Sequence, residues 1–340
     1  MDAYVHVRGL SKAFPVRRNL GQVLRGEHPV VHAVRAVDFD IVAGETVGLL
    51  GESGCGKTTT GRLLLKLVEP SAGAIRIGTK RLSGLSGSPM RDFRREAQLV
   101  FQNPFDALNP RIQIGRSLAE PLINAAVPRA EHADRIKVVL ERVRVRGTDL
   151  LERYPHEMSG GQLQRIVLAR ALILEPRFIV ADEPVSMLDV SVRAGILNLM
   201  RELQDTMGLT AIYISHDLAL VRYVARRTMV MYLGSLVEDG PTEDVIHTPL
   251  HPYTRALIAA VPLPRVSQSR DPLPLKPGTP DARKVGAGCA FANRCPLAMP
   301  ICLEQAPPLV TVAPGRRAAC HLVSADGAGG IQPSAVRSVS

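Results

Sequence analysis

The chain has 340 residues, 46% hydrophobic and 22% charged, fractions near the averages for soluble globular proteins, which exclude a disordered, collagen-like or coiled-coil chain. Its formal net charge is +10, with 42 Lys and Arg against 32 Asp and Glu, and it has no Trp. Because the sparse aromatics do not interleave with basic clusters as base-stacking platforms would, the charge reads as a solvated surface that also attracts anionic nucleotide, and no nucleic acid is expected as a partner.

The start, MDAYVHVRGLSKAF, has neither the basic region nor the apolar stretch of a secretory signal. The longest apolar runs, such as IVLARALIL from Ile166, fall short of the roughly 18 to 20 residues that span a bilayer, so membrane association is expected through partners. Alternating Val5 and Val7 predict a strand, as does VDFDIVAGETVGLLG, where the apolar run from Val47 to Leu50 is broken by Gly51. TTGRLLLKLV, residues 59–68, has helix formers and a leucine face. From Pro104 to about His156 the pattern is an insertion of amphipathic helices, including IKVVLERVRV, separated by Pro110, Pro121 and Pro128. Strand patterns return at RFIVAD, TAIYIS and TMVMYLG between helical stretches, the mark of a mostly parallel sheet with helices on its faces. After Val261 proline is dense and periodicity is absent, as in a linker or meandering extension, and the small polar tail from about Ala325 is expected to be disordered. No internal repeat is seen.

Three motifs carry chemistry. Gly51, Glu52, Ser53, Gly54, Cys55, Gly56, Lys57 and Thr58 fit the P-loop pattern G-x-x-x-x-G-K-[ST] between a strand and a helix. With Thr59, this loop is expected to cradle phosphates on backbone N–H groups, with Lys57 on the β and γ phosphates and Thr58 on Mg²⁺. The strand Phe178–Ala181 delivers Asp182 and Glu183 at its C-terminal end, the first suited to Mg²⁺ and the second to a general base; a solvated acidic pair is the alternative. In MSGGQ, Ser159 caps a helix whose N-terminus is aimed at an anion, followed by Gly160, Gly161 and Gln162; a simple cap explains the serine but not both glycines.

Taken together, SGGQ, the P-loop and ADEPVSMLD resemble the signature, Walker A, and Walker B plus D-loop of ABC ATPases. Gln102 in VFQNP resembles the Q-loop, His216 in YISHD the switch histidine, and Phe14 in GLSKAF the aromatic that stacks on adenine. The resemblance covers roughly residues 4–262. It implies an α/β fold: an ABC-type P-loop ATPase over residues 1–262 with a RecA-like core, an antiparallel β subdomain and a helical subdomain at about 104–160. A small Cys-containing extension over 263–324 and a tail over 325–340 would follow. It also implies a dimer that sandwiches ATP, in which Ser159, Gly160, Gly161 and Gln162 serve the nucleotide held by the partner. Glu183 would polarise the attacking water, His216 would contact the γ-phosphate, Gln102 would touch Mg²⁺ and relay nucleotide state, and Asp189 would couple the two sites.

A narrower resemblance, carried by GESGCGKTT, VFQNPFDALNPR, PHEMSGGQLQRI, ADEPVSMLDVSVRAGILNL and HPYTRALIAAVP, is to the ATP-binding subunits of dipeptide and oligopeptide importers, a group that includes nickel and glutathione importers. The P-loop cysteine and the FPVRRNL segment look like the second ATPase of such pairs. This implies a heterodimer with a paralogous ATPase, two membrane permease subunits and an extracytoplasmic solute-binding protein, at the cytoplasmic face of the inner membrane; a homodimer, another solute such as nickel or glutathione, and a soluble non-transport ATPase stay open. Met158, Asn103, Ala107, Met187 and Gly195 depart from the usual pattern without removing a catalytic group. In the tail, Gly288, Cys289, Phe291, Arg294, Cys295, Pro296, Cys302 and Cys320 resemble the C-terminal extension of this group, where in some relatives four cysteines hold a four-iron four-sulfur cluster. The spacings, five, six and seventeen intervening residues, lack the C-x-x-C pairs of ordinary zinc sites, and free buried thiols are the alternative.

Overall fold

The computed structural model describes residues 3–16, 29–261, 275–283 and 285–323; the tail from Ala325 lies outside them. The strands in chain order are β1 (Ala3–Pro15), β2 (Val30–Val42), β3 (Thr46–Leu50), β4 (Ala72–Ile77), β5 (Lys80–Arg81) and β6 (Ala97–Val100). They continue with β7 (Phe178–Asp182), β8 (Thr210–Ser215), β9 (Arg227–Tyr232), β10 (Ser235–Pro241), β11 (Val310–Ala313) and β12 (Arg316–Ala318). Among the described residues they form two sheets: an antiparallel one in the order β2-β1-β4-β5, and a larger one in the order β11-β12-β10-β9-β3-β8-β7-β6. The run from β9 to β6 in the larger sheet is parallel.

Why the central strands read as unbroken apolar runs is visible in the packing. Successive strand residues face opposite sides, and here both sides are covered. Leu50, Ile179, Ala181 and Tyr213 join a core shared with the helices. Val47, Leu49, Val180, Ile212 and Ile214 join a second core with Val5, Phe39 and Ile75 of the antiparallel sheet. The helix Lys57–Leu64 lies so close to the sheet that a Cβ at Gly61 would sit 2.7 Å from Ile214 Cδ1 and 2.8 Å from Val180 Cγ1. Between β6 and β7 the chain leaves the sheet for the helices Pro104–Ala107, Ile114–Asn124, His132–Arg142 and Gly160–Leu172. Their buried faces, among them Ile114, Leu118, Ile136, Val139 and Leu163, pack together.

The stretch that read as a meandering extension folds back onto the core from residue 275. β12 pairs antiparallel with β10 through Glu238↔Ala318 and Asp239↔Arg317, so the C-terminal residues lengthen the main sheet. Two buried carboxylates anchor them. Glu238, fully buried, accepts N–H bonds from Leu250 and His251 at 2.9 Å and from Arg316 Nη2 at 3.3 Å. Asp239 sits between Arg227 (2.7 and 2.8 Å) and Arg317 Nε (3.0 Å). Phe291 completes the junction, its ring 5.3 Å from that of Tyr232 and 5.6 Å from that of Tyr253.

Candidate active site

The C-terminal ends of β3, β8, β7 and β6 lie side by side: Leu50 pairs with Ser215, Asp182 with Ile214, and Ala181 with Val100. Each strand therefore hands its next residues to one edge, where ligands of open α/β sheets bind. β3 supplies the P-loop, β7 Asp182 and Glu183, β8 His216, and β6 Gln102.

The loop from Gly51 to Gly56 is held tightly. A Cβ at Gly51 would lie 2.3 Å from the Met231 carbonyl, and one at Gly56 only 2.0 Å from the Ala33 carbonyl; Gly56 also has φ 107°, a region that favours glycine. The Gly234 N–H donates to the Cys55 carbonyl at 2.8 Å, while Ser53 and Gly54 stay exposed. Lys57, buried, donates from Nζ to the carbonyls of Gly51 at 2.7 Å and Glu52 at 2.9 Å. Burial raises the Cys55 thiol, which keeps it neutral behind the loop. Thr59 follows on the helix, and Phe14, half-exposed under Lys12 Nζ at 5.0 Å, pairs with Val31 on the strand that brings Ala33 to Gly56.

Beside the loop, Thr58 Oγ1 donates to Asp182 Oδ1 at 3.1 Å. Burial raises the Asp182 carboxyl, a cost that a divalent cation between it and Thr58 would relieve. The donor set fits Mg²⁺. Glu183 adopts φ 45°, an uncommon conformation for a residue with a Cβ, and its N–H donates to the Ile214 carbonyl at 2.9 Å. Its carboxylate then accepts from Gln102 Nε2 at 2.8 Å on Oε2 and from His216 Nδ1 at 2.7 Å on Oε1. Three residues far apart in sequence thus meet at one carboxylate.

Ser159 caps the helix Gly160–Leu172 reciprocally: Gln162 N donates to Ser159 Oγ at 3.3 Å, and Ser159 N to Gln162 Oε1 at 3.2 Å. Gly161 has a second reason. A Cβ there would sit 2.7 Å from Val192 Cγ1, on the helix Val190–Met207 that Asp189 precedes. One turn further, Gln164 Nε2 donates to the Pro184 carbonyl at 2.7 Å, tying this helix to the turn after Glu183. Among the described residues no hydrogen bond joins Ser159, Gly160, Gly161 or Gln162 to the P-loop, and none is made by the Asp189 side chain as a cap.

The four cysteines of the extension come together. Among the described residues no group of three or more His, Cys, Asp or Glu could hold a metal ion. Cys289, Cys295, Cys302 and Cys320 do line one cavity with Phe291 and Leu322, but its volume is about 10 Å³, room for at most a single water. Burial raises Cys289 and Cys295 and pushes Cys320 up to about 11. That keeps these three thiols neutral in an apolar junction, and the arrangement gives an iron-sulfur cluster no support.

Two further residues reach the P-loop, a place that the sequence did not assign to either. Tyr253 Oη accepts the Glu52 N–H at 2.9 Å, and Arg294 Nη1 donates to the Glu52 carboxylate at 3.2 and 3.3 Å. The only signal was that both lie in the runs HPYTRAL and FANRCP, already singled out by resemblance.

A family profile described as "ABC transporter" matches residues 34–186. Over 340 residues the chain is 43% identical to the probable peptide ABC transporter ATP-binding protein y4tS of Sinorhizobium fredii, covering 100% of this chain and 95% of that one. The chain belongs to the family of ABC transporter ATPases. A second profile, "Oligopeptide/dipeptide transporter, C-terminal region", matches residues 237–302 of this ABC ATPase. It is 43% identical to the oligopeptide transport ATP-binding protein AppF of Bacillus subtilis, over 95% of this chain and 98% of that one. To the di/tripeptide transport ATP-binding protein DppF of Pseudomonas aeruginosa it is 42% identical, over 94% and 98%. Among solved structures, the dimeric ATP-binding cassette MJ0796 bound to ADP and Pi matches with a TM-score of 0.61 at 25% identity, over 70% of this chain and 98% of that one. Like other ABC ATPases, the chain is an ATP hydrolase.

Proposed function

We propose that this ABC ATPase powers import of di- and oligopeptides, and that its site residues divide the work as follows. ATP phosphates lie on the backbone N–H groups from Gly54 to Thr59, and Lys57 exchanges its two loop carbonyls for the β and γ phosphates. Thr58 and Asp182 would hold Mg²⁺, which when bound would neutralise charge on the phosphates. The observation that carries the chemistry is the Glu183 carboxylate, held by Gln102 and His216 beside Asp182. Glu183 takes a proton from the attacking water, His216 turns to the γ-phosphate, and Gln102 follows the nucleotide state. Phe14 stacks on adenine. Ser159, Gly160, Gly161 and Gln162 present a helix N-terminus to the ATP of a partner ATPase, and Asp189 links the two sites.

Peptide as the solute is supported by the match over residues 237–302 and by the peptide importers among the relatives. Among the described residues no helix is long and apolar enough to cross a membrane, so permease subunits would hold the chain at the cytoplasmic face. A groove of about 540 Å³ between β6 and the inserted helices suits a permease segment. Its floor includes Leu99, Phe101 and Val167, and its rim carries Arg91, Arg94, Arg95 and Arg170. A paralogous ATPase and an extracytoplasmic solute-binding protein complete the complex.

Uptake of labelled di- and oligopeptides, with nickel alongside, in cells lacking the chain tests the reading. Wild type should restore peptide uptake. Glu183→Gln should not, because losing the general base lowers the hydrolysis rate by about 10²- to 10⁴-fold. Restoration of nickel uptake alone would sink the peptide assignment.

A further inference from the structure

Tyr253 and Arg294, both well beyond the ATPase motifs, meet the P-loop at Glu52. Glu52 is gripped on each of its polar groups: its N–H by Tyr253 Oη, its carbonyl by Lys57 Nζ, and its carboxylate by Arg294 Nη1. This grip is built into the fold. Tyr253 is 1% exposed, as is Phe291; the Tyr232 and Tyr253 ring centroids are 4.5 Å apart; and the Arg294 side chain, 14% exposed, also donates to Tyr232 Oη at 3.4 Å. The arginine backbone is fixed too, its N–H on the Phe291 carbonyl at 3.0 Å and its carbonyl receiving the Lys276 N–H at 2.9 Å.

Electrostatics gives the contact a purpose. Glu52 places a carboxylate inside a loop that receives a polyanion, and at short range in a partly desolvated site such like charges repel appreciably. Arg294 opposes that carboxylate directly, while Tyr253 orients the peptide whose carbonyl holds Lys57. We infer that Arg294, with Tyr253, is a positioning residue through which the C-terminal extension sets the affinity of the P-loop for nucleoside triphosphate. This inference rests on the P-loop holding ATP as proposed above.

The test is displacement of trinitrophenyl-ATP from the full chain by ATP and by ADP. Arg294→Gln should raise the ATP Kd about tenfold and the ADP Kd less, because ADP carries less charge. The double variant Glu52→Gln/Arg294→Gln should return to within about twofold of wild type, since the uncompensated carboxylate is gone, and a merely structural arginine would not be rescued this way. Arg294→Lys, which keeps the charge and disturbs the fold least, should fall between wild type and Arg294→Gln. An Arg294→Gln protein that binds ATP like wild type, or a double variant as weak as the single one, overturns the inference. Wild type that binds ADP and ATP confirms the footing on which variants are compared; wild type that binds neither sinks the P-loop reading and this inference with it.

Discussion

Gly161 lies where the signature helix begins, and its missing Cβ leaves room for Val192 Cγ1. Gly161→Ala forces an overlap in a packed contact, so it should cost about 1–3 kcal/mol. Adding Val192→Ala should recover most of that loss in thermal unfolding; no recovery would mean that the contact is not what requires glycine. Other single residues were easier to read. Asn103 departs from the usual aspartate, yet its Oδ1 still accepts the Phe105 N–H at 3.1 Å and caps the helix Pro104–Ala107, as either side chain can. Glu183, Gln102 and His216 were legible as motif members. Their meeting at one carboxylate was not, since it depends on the register of β6, β7 and β8 and on the φ of 45° at Glu183.

Elements follow local pattern until buried contacts outlast the helix. The leucine face that predicted a helix over 59–68 continues through Leu65, but the helix ends at Leu64 and Lys66 takes φ 50°. Val143 and Val145 likewise stay buried beyond the helix end at Arg142, across Arg144 at φ 58°. Periodicity reports burial, which turns also supply. At the helix Pro252–Ala259, His251 acts as the cap: its Nδ1 accepts the Tyr253 N–H at 3.0 Å, and burial pushes it down to about 3. Only the neutral ring can accept there. The unfolded chain binds a proton below about pH 6.5 that the folded chain refuses until about pH 3. The stability present above 6.5 is therefore lost as pH falls through this window, by about 1.4 kcal/mol per unit. His251→Asn keeps an acceptor without the titration, so urea melts between pH 6.5 and 5 should show a shallower loss than wild type. Phe291→Ala, which empties the centre of the aromatic junction, should cost about 3–5 kcal/mol.

At the scale of the whole molecule, the larger sheet is both the centre of the core and the edge at which the site residues meet. The parallel part was legible from RFIVAD, TAIYIS and TMVMYLG, because strands covered on both faces are apolar throughout. The return of β11 and β12 to its edge was not, since those strands are only four and three residues long and bury no residue but Ala318. The arginine rim of the groove should govern assembly. Reversing Arg91, Arg94 and Arg95 together to Glu should weaken co-purification with the permease subunits and remove its sensitivity to salt, while ATP binding by the chain alone stays at the wild-type level. Undiminished co-purification would place the membrane partner elsewhere.

The ammonium of Lys57 already has two carbonyl partners at 2.7 and 2.9 Å within a loop braced from both sides. On the proposed role of Lys57, nucleotide arrival would be an exchange of oxygen partners at a charge that is already out of water, and the chain would not need to order itself around the visitor. Little conformational entropy is given up at that moment, so association should be quick and the residence of ATP governed by how readily the lysine returns to its own backbone.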